Sequence, residues 1–508
     1  MKTGFGFDSV RFRRKSKASI PFIFTFWYII VLSERTRTRT TIREETVMAE
    51  RFDVVVIGSG TGGYAAAVRC VQKGASVAIV EKDTVGGTCL NCGCIPSKAL
   101  LASAHTLLTA KNTAAMGVEF GSVTANWPKM QARKDAIVSS FVKGLTGLIK
   151  SHRVKMFAGR AVVAAPKQVR IETDSELIQV ECEKIILATG SKPIEIPAIP
   201  FDGRTIISSK EALALQDIPA SMVIVGGGVI GCELACVYAA VGTKVTIVEA
   251  LSRLIPMEDE WVGRLMEREF GKLAIESLTG QKVVNVDKTA SPATVVLEDG
   301  RKLPAEKVLV CVGRRAVCDS ATIEAVGLNT NGPAIAVNEK METNVEGVYA
   351  VGDVVGTTYL AHGAFAEAEV AAANACGGDA RIEDYSLIPR AVYTFPEIAS
   401  VGKSQQQCLS EGLDVTVGKA FFKANGRSAA HNETVGQVVA VRDNATNRIV
   451  GVTMVGAMVT ELIATARALI TSGEKITDVT FPHPTVSEVL KEAVEDAFGI
   501  SLHSPRRT

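Results

Sequence analysis

The stretch Phe52-Asp-Val-Val-Val-Ile-Gly-Ser-Gly-Thr-Gly-Gly63 decides the fold. Its first six residues form a short apolar run rich in β-branched side chains, which is typical of a strand buried on both faces of a parallel sheet. Each glycine after the run has a mechanical role. Gly58 permits a tight turn, Gly60 lets backbone N–H groups approach a pyrophosphate, and Gly63 lets the next helix pack closely on the strand. The stretch therefore predicts the first half of a dinucleotide-binding βαβ unit.

The residues that follow complete this unit. An Ala-rich helix is predicted over Tyr64–Lys73 and ends at Gly74, and a second strand is predicted over Ser76–Val80. The strand finishes in Glu81, whose carboxylate is placed to accept hydrogen bonds from a ribose. A single Gly-x-Gly-x-x-Gly motif is a weak signal, because any α/β protein can contain a glycine-rich turn.

The same unit occurs a second time in this chain. Its parts, in order, are a strand over Met222–Val225, the glycines Gly226, Gly228 and Gly231, a helix up to Val241, and a strand over Lys244–Val248 that ends in Glu249. In both copies 23 residues separate the first glycine from the terminal acid, and the copies lie 168 residues apart. Identical spacing predicts two complete dinucleotide-binding units.

Two dinucleotide units in one chain suggest electron transfer between two redox cofactors. In the second unit, a carboxylate at the position of Glu249 favours a free ribose 2′-hydroxyl and repels a 2′-phosphate. We therefore expect NAD rather than NADP at this unit. Arg253, four residues further on, keeps NADP open as the alternative.

The composition excludes several other classes of protein. The chain has 508 residues, of which 47% are hydrophobic and 22% charged, with 44 Gly, 17 Pro and a formal net charge of +2. At roughly 100 to 200 residues per domain, this length predicts about three or four domains, each able to bury a core without disulfides or metal. A disordered chain, a collagen-like repeat and a nucleic-acid binder that works by bulk positive charge are all excluded.

Residues 1–47 differ from the rest of the chain. Basic residues precede a 13-residue apolar run, Ile20–Leu32, which is shorter than the roughly 20 residues that span a bilayer. The segment holds ten Lys/Arg and four Asp/Glu, a net charge of +6, so residues 48–508 carry 2 − 6 = −4. Three interpretations stay open: an organelle-targeting presequence, a signal-anchor-like segment, or upstream sequence added by a misassigned start, with Met48 as the initiator.

The eleven cysteines form no regular framework, which is typical of reduced intracellular thiols. Three of them, Cys89, Cys92 and Cys94, lie close together soon after the first unit. A zinc site is disfavoured because no second Cys/His cluster follows downstream, and we predict no metal. A dithiol on a loop that enters a helix, directly behind a dinucleotide unit, is better explained as a redox-active pair. Its thiolate would be stabilised by the helix N-terminus and a nearby cation.

The segment Gly86-Gly-Thr-Cys-Leu-Asn-Cys-Gly-Cys-Ile-Pro-Ser-Lys98 resembles the active-site segment of the pyridine nucleotide-disulfide oxidoreductases, the flavoprotein disulfide reductases. The resemblance implies that Cys89 and Cys94 are the reactive pair, and that the first unit binds FAD and the second NAD. It also implies that Lys98 lies near the flavin and pairs with Glu233.

Cys92 departs from the family pattern, which usually has an apolar residue there. A third thiol at this position either exchanges into the disulfide or fills space, and we favour packing.

Further segments resemble the family in the same order along the chain. Apart from the two glycine loops with Glu81 and Glu249, the resemblance assigns cofactor binding to Lys98, Thr189, Gly190, Ser191, Glu233, Gly313, Gly352, Asp353, Leu360, Ala361 and His362. Among these, Asp353 is expected to bind the ribityl chain of FAD.

Near the C-terminus, His483 stands between two prolines and Glu488 follows five residues later. The segment His483-Pro-Thr-Val-Ser-Glu488 resembles the motif of the family's lipoamide branch, in which the histidine is the catalytic base and the glutamate orients its imidazole. The alternative is an ordinary histidine on a surface loop. The resemblance further implies that this dyad acts on the disulfide of the partner subunit, so that the enzyme is a homodimer.

The resemblance covers roughly residues 50–500 and implies an α/β fold with two Rossmann-like dinucleotide-binding domains, for FAD and NAD, and an α+β C-terminal dimerisation domain. The predicted segments are a leader at 1–47, an FAD-binding domain at 48–195, an NAD-binding domain at 196–317, a central FAD-binding segment at 318–388 and an interface domain at 389–508.

The expected activity is the oxidation of protein-bound dihydrolipoamide to lipoamide with reduction of NAD⁺ to NADH. The expected partners are the lipoyl-bearing subunits of a 2-oxo acid dehydrogenase or glycine cleavage complex, with no nucleic acid and no membrane for the mature enzyme. Two alternatives stay open: another NAD-linked disulfide reductase, and a structural subunit of a multienzyme complex. The expected compartment is the mitochondrial matrix, with the cytoplasm as the alternative.

Overall fold

The computed structural model describes residues 50–382, 384–473 and 476–504, and the structural statements below concern those residues. The predicted leader at 1–47 lies outside them.

Strands in this part of the chain are, in order, β1 (Glu50–Ile57), β2 (Val77–Glu81), β3 (Lys155–Ala158), β4 (Arg160–Ala165), β5 (Gln168–Glu172), β6 (Leu177–Leu187), β7 (Ser191–Pro193), β8 (Ile206–Ile207), β9 (Ser221–Val225), β10 (Lys244–Glu249), β11 (Glu276–Thr279), β12 (Val283–Asp287), β13 (Ala293–Leu297), β14 (Lys302–Ala305), β15 (Lys307–Val310), β16 (Arg314–Ala316), β17 (Thr330–Asn331), β18 (Ala334–Ile335), β19 (Val348–Ala350), β20 (Arg390–Val392), β21 (Glu397–Gly402), β22 (Val415–Phe421), β23 (Gln437–Asp443) and β24 (Arg448–Gly456).

Helices are α1 (Thr61–Gln72), α2 (Gly87–Cys92), α3 (Cys94–Lys111), α4 (Trp127–Ser151), α5 (Ser209–Ala212), α6 (Val229–Val241), α7 (Glu260–Lys272), α8 (Ser320–Val326), α9 (Ala361–Ala375), α10 (Gln405–Ser410), α11 (Gly426–Ala430), α12 (Val459–Ser472) and α13 (Ser487–Ala497). Short 3₁₀ turns lie at Thr113–Met116, Gly352–Val354, Tyr385–Leu387, Phe422–Ala424 and Ile476–Asp478.

The first large sheet has the strand order β3-β2-β1-β6-β5-β4, and β19 pairs in parallel with β6. Strands β1, β2, β3 and β6 are mutually parallel. The central residues of β1, Val54, Val55 and Val56, are all at most 1% exposed, as expected for a parallel strand covered on both faces. Because β19 comes from a segment far along the chain, this sheet is assembled from two separate stretches of sequence.

The second large sheet, of order β11-β10-β9-β15-β8, is parallel throughout. Strand β9 leads into the second glycine loop and β10 ends in Glu249, which is the order that the repeated motif predicts. The carboxyl ends of β9, β10 and β15 meet at one edge, because their registers align Val225 with Val248 and with Val310. The α/β class with two dinucleotide-type units is thereby confirmed.

The predicted element limits differ from the structure by a few residues at the first unit. Helix α1 begins at Thr61 rather than Tyr64, because its first turn is built from the glycine loop itself with Gly60 at the N-cap. Strand β2 covers Val77–Glu81 rather than Ser76–Val80, so Glu81 is the last residue of the strand.

The C-terminal sheet is antiparallel and has the order β20-β21-β24-β23-β22. Helices α12 and α13 pack on this sheet, and Phe422, Met454 and Leu490 are fully buried in the core between them. Helix α13 approaches β22 so closely that a β-carbon on Gly418 would lie 2.1 Å from the carbonyl oxygen of Ala493. Gly418 therefore sets the distance between the sheet and the helix whose first turn carries Glu488.

Replacing this glycine tests the role of the close approach. We expect Gly418→Ala to destabilise the protein by about 1–3 kcal/mol, because the added methyl group meets backbone that cannot move aside. Gly426→Ala is the matched control, since nothing lies within 4 Å of a β-carbon there. Thermal unfolding of both variants measures the effect, and equal stability of the two would contradict the packing argument.

Candidate active site

Each of the three glycines in the first loop has a different surrounding. A β-carbon on Gly58 would lie 2.3 Å from the carbonyl oxygen of Ala188, and one on Gly63 would lie 1.9 Å from the carbonyl oxygen of Gly58. At Gly60 the nearest atom is the Cα of Gly87, at 4.0 Å. The first and third glycines are therefore needed for packing within the protein, whereas Gly60 faces open space at the N-terminus of α1.

The second loop repeats this arrangement. A β-carbon on Gly226 would lie 2.6 Å from the carbonyl oxygen of Cys311, one on Gly231 would lie 2.1 Å from that of Gly226, and one on Gly228 would meet nothing within 4 Å. Open space at a helix N-terminus is what an anionic pyrophosphate requires, because backbone N–H groups and the helix dipole both favour negative charge there. The residues present thus fit a dinucleotide at each loop.

The terminal acids hold these loops in place. Glu81 accepts hydrogen bonds from Ser59 N at 2.9 Å and from Ser59 Oγ at 2.6 Å. Glu249 is 8% exposed and accepts hydrogen bonds from Gly227 N at 2.6 Å and from Leu251 N at 2.7 Å. Each carboxylate therefore binds the residue that follows the first glycine, at the strand end where a ribose would lie.

No ion pair or hydrogen bond joins Arg253 to Glu249 among the described residues. Its Nη2 donates to the carbonyl oxygen of Pro256 at 3.2 Å. The side chain that kept NADP as the alternative cofactor thus hydrogen-bonds to a carbonyl group of its own turn.

The predicted redox thiols lie on two consecutive helices. The sequence predicts a loop before a helix here, but Cys89 lies inside the short helix α2, and Cys94 is the first residue of α3. Helix α2 packs on the first loop, where a β-carbon on Gly87 would lie 2.7 Å from Gly60 Cα. The thiols are thereby attached to the dinucleotide loop.

The two thiols differ in acidity. The hydrogen bond from the Cys89 thiol lowers the pKa of Cys94 to about 7; burial opposes this, and the positive charge of Lys98 adds to it. The pKa of Cys89 is raised by the same hydrogen bond and by burial. Cys94 is therefore the thiol that carries negative charge near neutral pH.

Lys98 lies one turn along α3 from Cys94 and pairs with Glu233 of α6. Its Nζ lies 2.9 Å from Oε1 and 2.8 Å from Oε2 of this carboxylate, whose side chain is 5% exposed. Tyr393 completes the junction, since its backbone N–H donates to Glu233 Oε1 at 3.0 Å and its ring lies 4.4 Å from Lys98 Nζ. Two segments that are both distant from Glu233 in sequence thus satisfy its buried carboxylate.

Cys92 is partly buried on α2, and the pKa of its thiol is raised by burial. The positive charges of Lys210 and Arg314 act in the opposite direction on this thiol.

A second group of predicted cofactor residues meets around Ser191. Its hydroxyl donates to Asp353 and accepts a hydrogen bond from Arg314 Nε at 2.7 Å, while Arg314 Nη2 donates to the Ser191 carbonyl oxygen at 2.9 Å. Thr189 Oγ1 donates to the carbonyl oxygen of Val317 at 2.5 Å. Gly190 has a φ of +76°, in the left-handed region that glycine adopts readily.

Gly313 leads into strand β16, which pairs with β7 and so joins the two nucleotide-type units. Its φ of +124° again favours glycine. Arg314 on the same strand also approaches Thr88 Oγ1 at 3.5 Å, which brings it next to the thiol segment.

The turn that carries Gly352 and Asp353 is held by a buried carboxyl group that the sequence does not single out. Glu367 of α9 is 1% exposed and accepts hydrogen bonds from Gly352 N at 2.6 Å and from the Tyr385 hydroxyl at 3.0 Å. Burial raises the pKa of Glu367 to about 7, and the hydrogen bonds only partly oppose this. Glu367 thus fixes the turn that presents Asp353.

Leu360 is the N-cap of α9, and Ala361 and His362 begin the helix. The backbone N–H groups of such a first turn have no partner within the helix. The His362 ring contacts the carbonyl oxygen of Pro389.

His483 and Glu488 form a hydrogen-bonded pair. His483 Nδ1 lies 2.9 Å from Glu488 Oε1, and Glu488 Oε2 accepts from Thr485 N at 2.8 Å. Burial alone would raise the pKa of Glu488, but the hydrogen bonds from Thr485 and His483 leave it below the ordinary value. Because an ionised carboxylate only accepts hydrogen bonds, Nδ1 carries the proton and Nε2 is free to accept one.

This pair stands apart from the thiols within the chain. The His483 side chain is 80% exposed, and among the described residues neither member of the pair hydrogen-bonds to the α2–α3 segment. The other predicted residues lie at the two glycine loops, at the Lys98–Glu233 pair, around Ser191 and along the segment from Gly352 to His362.

Several residues of these junctions escape sequence reasoning. Tyr393, Arg314, Glu367 and Tyr385 each act through partners that are distant in sequence. The local signal for Arg314 was its position directly after Gly313, at the end of a nucleotide-type unit.

Among the described residues, no group of three or more His, Cys, Asp or Glu side chains could hold a metal ion. Nor does any helix in the described ranges combine the length and apolar character that crossing a membrane requires.

Comparison with known proteins defines the class. Residues 52–372 match the family model "Pyridine nucleotide-disulphide oxidoreductase", and residues 388–494 match its dimerisation domain. The chain belongs to the pyridine nucleotide-disulphide oxidoreductase family. It is an oxidoreductase that uses FAD and NAD, and its dimerisation domain supports a homodimer.

Individual relatives narrow the comparison. A protein named dihydrolipoyl dehydrogenase from Bacillus subtilis is 40% identical over 460 residues, which cover 89% of this chain and all of the relative. Dihydrolipoyl dehydrogenase 2, mitochondrial, from Arabidopsis thaliana is 38% identical, with 89% of this chain and 91% of the relative covered. Among solved structures, the flavoprotein disulfide reductase RclA from Escherichia coli matches with a TM-score of 0.79 and 25% identity over 88% of this chain and 99% of its own.

The open space at Gly60 can be tested by filling it. We expect Gly60→Val to leave the fold intact and to abolish most FAD binding, because the side chain would occupy the room in front of the α1 N-terminus. Gly271→Val is the control, since a β-carbon there meets nothing within 4 Å. The ratio of flavin to protein absorbance measures binding and circular dichroism measures folding; full flavin content in Gly60→Val would be incompatible with the assignment.

The acidity of Cys94 can be tested by alkylation. In the reduced protein, iodoacetamide should modify Cys94 with a midpoint near its pKa of about 7. Lys98→Gln should raise this midpoint by about one pH unit, because the variant removes the cation and leaves Glu233, which disfavours the thiolate. Lys111→Gln, at the other end of α3, is the control and should change nothing. Peptide mass spectrometry across a pH series reads the midpoint, and an unchanged midpoint in Lys98→Gln contradicts the role of the cation.

Proposed function

We propose that this enzyme oxidises the dihydrolipoyl group of a carrier protein to the lipoyl disulfide and reduces NAD⁺ to NADH. The observation that carries the proposal is the 2.9 Å hydrogen bond between His483 and the ionised Glu488. It supplies the free imidazole nitrogen that a dithiol substrate needs as a base. The relatives at 38–40% identity that are named dihydrolipoyl dehydrogenase support the same reaction.

The chemistry begins with a proton transfer. His483 Nε2 accepts the proton of one substrate thiol, and Glu488 stabilises the resulting imidazolium through Nδ1. The substrate thiolate then attacks Cys89 Sγ in a Cys89–Cys94 disulfide, so that an S–S bond forms to Cys89 and Cys94 leaves as a thiolate. The pKa of about 7 makes Cys94 the better leaving group.

The second substrate thiol completes the exchange. It attacks the mixed disulfide, releases Cys89 and closes the lipoyl ring, so that two electrons and two protons have passed from the substrate to the protein. When bound, FAD supplies the route by which these electrons reach NAD⁺ as a hydride. Lys98, held by Glu233 and Tyr393, keeps a positive charge beside Cys94 and stabilises its thiolate.

The dyad is proposed to act on the thiols of the partner subunit in the homodimer. Support comes from the dimerisation domain match and from the exposure of the His483 side chain. Each protomer would then contribute half of two active sites.

The cofactor assignments are proposals of the same kind. FAD is assigned to Gly58, Gly60, Gly63, Glu81, Lys98, Thr189, Gly190, Ser191, Gly352, Asp353, Leu360, Ala361 and His362, and NAD to Gly226, Gly228, Gly231, Glu233, Glu249 and Gly313. The domain limits at 48–195, 196–317, 318–388 and 389–508 are also proposals, supported by the return of β19 to the first sheet.

The partners proposed for this activity are lipoyl-bearing subunits of a 2-oxo acid dehydrogenase or glycine cleavage complex. The proposed compartment is the mitochondrial matrix, as in the name of the Arabidopsis relative, and the cytoplasm is the alternative.

Replacement of the base distinguishes the reaction with the substrate thiols from electron transfer that starts at NADH. We expect His483→Gln to lower turnover of dihydrolipoamide by about 10²–10⁴-fold and to leave electron transfer from NADH to an artificial acceptor largely unchanged. The control is His503→Gln, because His503 Nδ1 and Glu492 Oε1 form a second exposed His–Glu pair at 2.7 Å. Steady-state rates with both acceptors measure the difference.

A parallel assay with glutathione disulfide and NADPH distinguishes the substrate. Equal losses of both activities in His483→Gln, or faster turnover of glutathione disulfide than of lipoamide by the unmodified enzyme, would count against the proposal.

A further inference from the structure

Helices α1 and α9 are packed side by side and run in the same direction. Near their N-termini, a β-carbon on Gly62 would lie 3.5 Å from the Ala364 side chain. At the other end, Arg69 of α1 pairs with Glu369 of α9 at 2.5 Å. Both helices contribute small buried residues to one apolar cluster, which suits a close approach; these residues are Ala66, Ala67, Cys70, Ala368, Ala371, Ala372 and Ala375.

The N-termini of both helices lie at the proposed flavin site. Helix α1 begins after Gly60 of the first glycine loop, and α9 begins at Ala361. Gly62 also lies against Val351, two residues before Asp353. The relative position of these two helices therefore determines the shape of the space that receives the cofactor.

Two cysteines meet at the C-terminal ends of this helix pair. Cys70 of α1 is fully buried, and Cys376 is the C-cap residue of α9 and is partly exposed. Both belong to one apolar cluster, and the Cys376 thiol lies close enough to raise the pKa of Cys70. The thiols of Cys89 and Cys94 make the same kind of contact.

We propose that Cys70 and Cys376 are a second oxidisable dithiol, which a hydroperoxide converts into a disulfide that joins α1 to α9. The sulfur of Cys376, the more exposed residue of the two, attacks the peroxide; the O–O bond breaks, Cys376 becomes a sulfenic acid and one water or alcohol leaves. Cys70 sulfur then attacks the Cys376 sulfur, an S–S bond forms, the S–O bond breaks and the hydroxyl leaves with the Cys70 proton as water. Two electrons pass from the two sulfurs to the peroxide.

The order of the two cysteines follows from their surroundings. Burial raises the pKa of the Cys70 thiol, as does the neighbouring Cys376, so Cys70 stays protonated and is a poor target for peroxide. Cys376 at the helix end is the accessible partner. Cys70 is then a neighbour of the residue whose sulfur it must attack.

The disulfide would restrain the cofactor site from the far end of the two helices. It would link residues 306 positions apart, and a crosslink across so long a loop removes much freedom from the unfolded chain. We expect the oxidised holoenzyme to release FAD at least about two-fold more slowly in denaturant than the holoenzyme in which this pair is reduced.

The experiment oxidises the full-length holoenzyme with hydrogen peroxide, alkylates the remaining thiols and analyses a non-reduced digest by mass spectrometry. We expect a crosslinked peptide pair containing Cys70 and Cys376. FAD release in guanidinium, followed by flavin fluorescence, should slow after oxidation in the unmodified protein but not in Cys376→Ser or Cys70→Ser. Cys318→Ser, which removes another partly exposed thiol, should behave as the unmodified protein does.

Two results would overturn the proposal. One is full alkylation of Cys70 after peroxide treatment that forms the Cys89–Cys94 disulfide; the other is oxidation of Cys376 to sulfinic acid without a crosslink. The proposed catalytic function is judged separately, because its failure would show as loss of the Cys89–Cys94 disulfide or of lipoamide turnover. If either serine variant does not fold, Cys376→Ala takes its place in the same experiment.

Discussion

The close approach of Gly63 to the carbonyl of Gly58, repeated at Gly231 and Gly226, is the constraint on which the rest of the site depends. Where these backbones meet, no β-carbon fits. In each unit the helix therefore packs directly on the end of the strand. The free N–H groups of its first turn face the space in front of Gly60 or Gly228. Helix α2 then packs on the first loop through Gly87. The position of the reactive thiols therefore depends on the same contact.

The second constraint is the buried carboxylate of Glu233. It binds Lys98 of the first unit and the backbone of Tyr393 at the start of the C-terminal sheet. A buried charge of this kind is costly unless each of its oxygens is satisfied, and removing one partner of such a pair typically costs about 3–5 kcal/mol. The junction fixes the cation beside Cys94 and at the same time joins three parts of the chain.

Sequence reasoning succeeds where the partners are close in the chain or repeat at a fixed spacing. The two glycine loops follow from their identical spacing, and the His483–Glu488 contact spans five residues. Contacts between distant segments leave no such signal, which is why Tyr393, Glu367 and the Arg314–Ser191 contact emerge only from the structure. The segment at Cys89 was expected to be a loop that enters a helix, but it is itself helical and packs through Gly87 on Gly60. The scattered cysteines looked alike in sequence, and only folding brings Cys70 to Cys376.

The Glu233 junction also bears on the order in which the protein matures. During synthesis from the N-terminus, Lys98 and Glu233 leave the ribosome well before Tyr393, so a nascent chain contains the carboxylate before its last donor exists. The docking of the two nucleotide-type units becomes complete only when the first strand of the C-terminal sheet has emerged. A chain that is interrupted before residue 393 would keep a partly satisfied charge at the Glu233 junction. The contact surfaces between its domains would then be accessible to quality-control proteases.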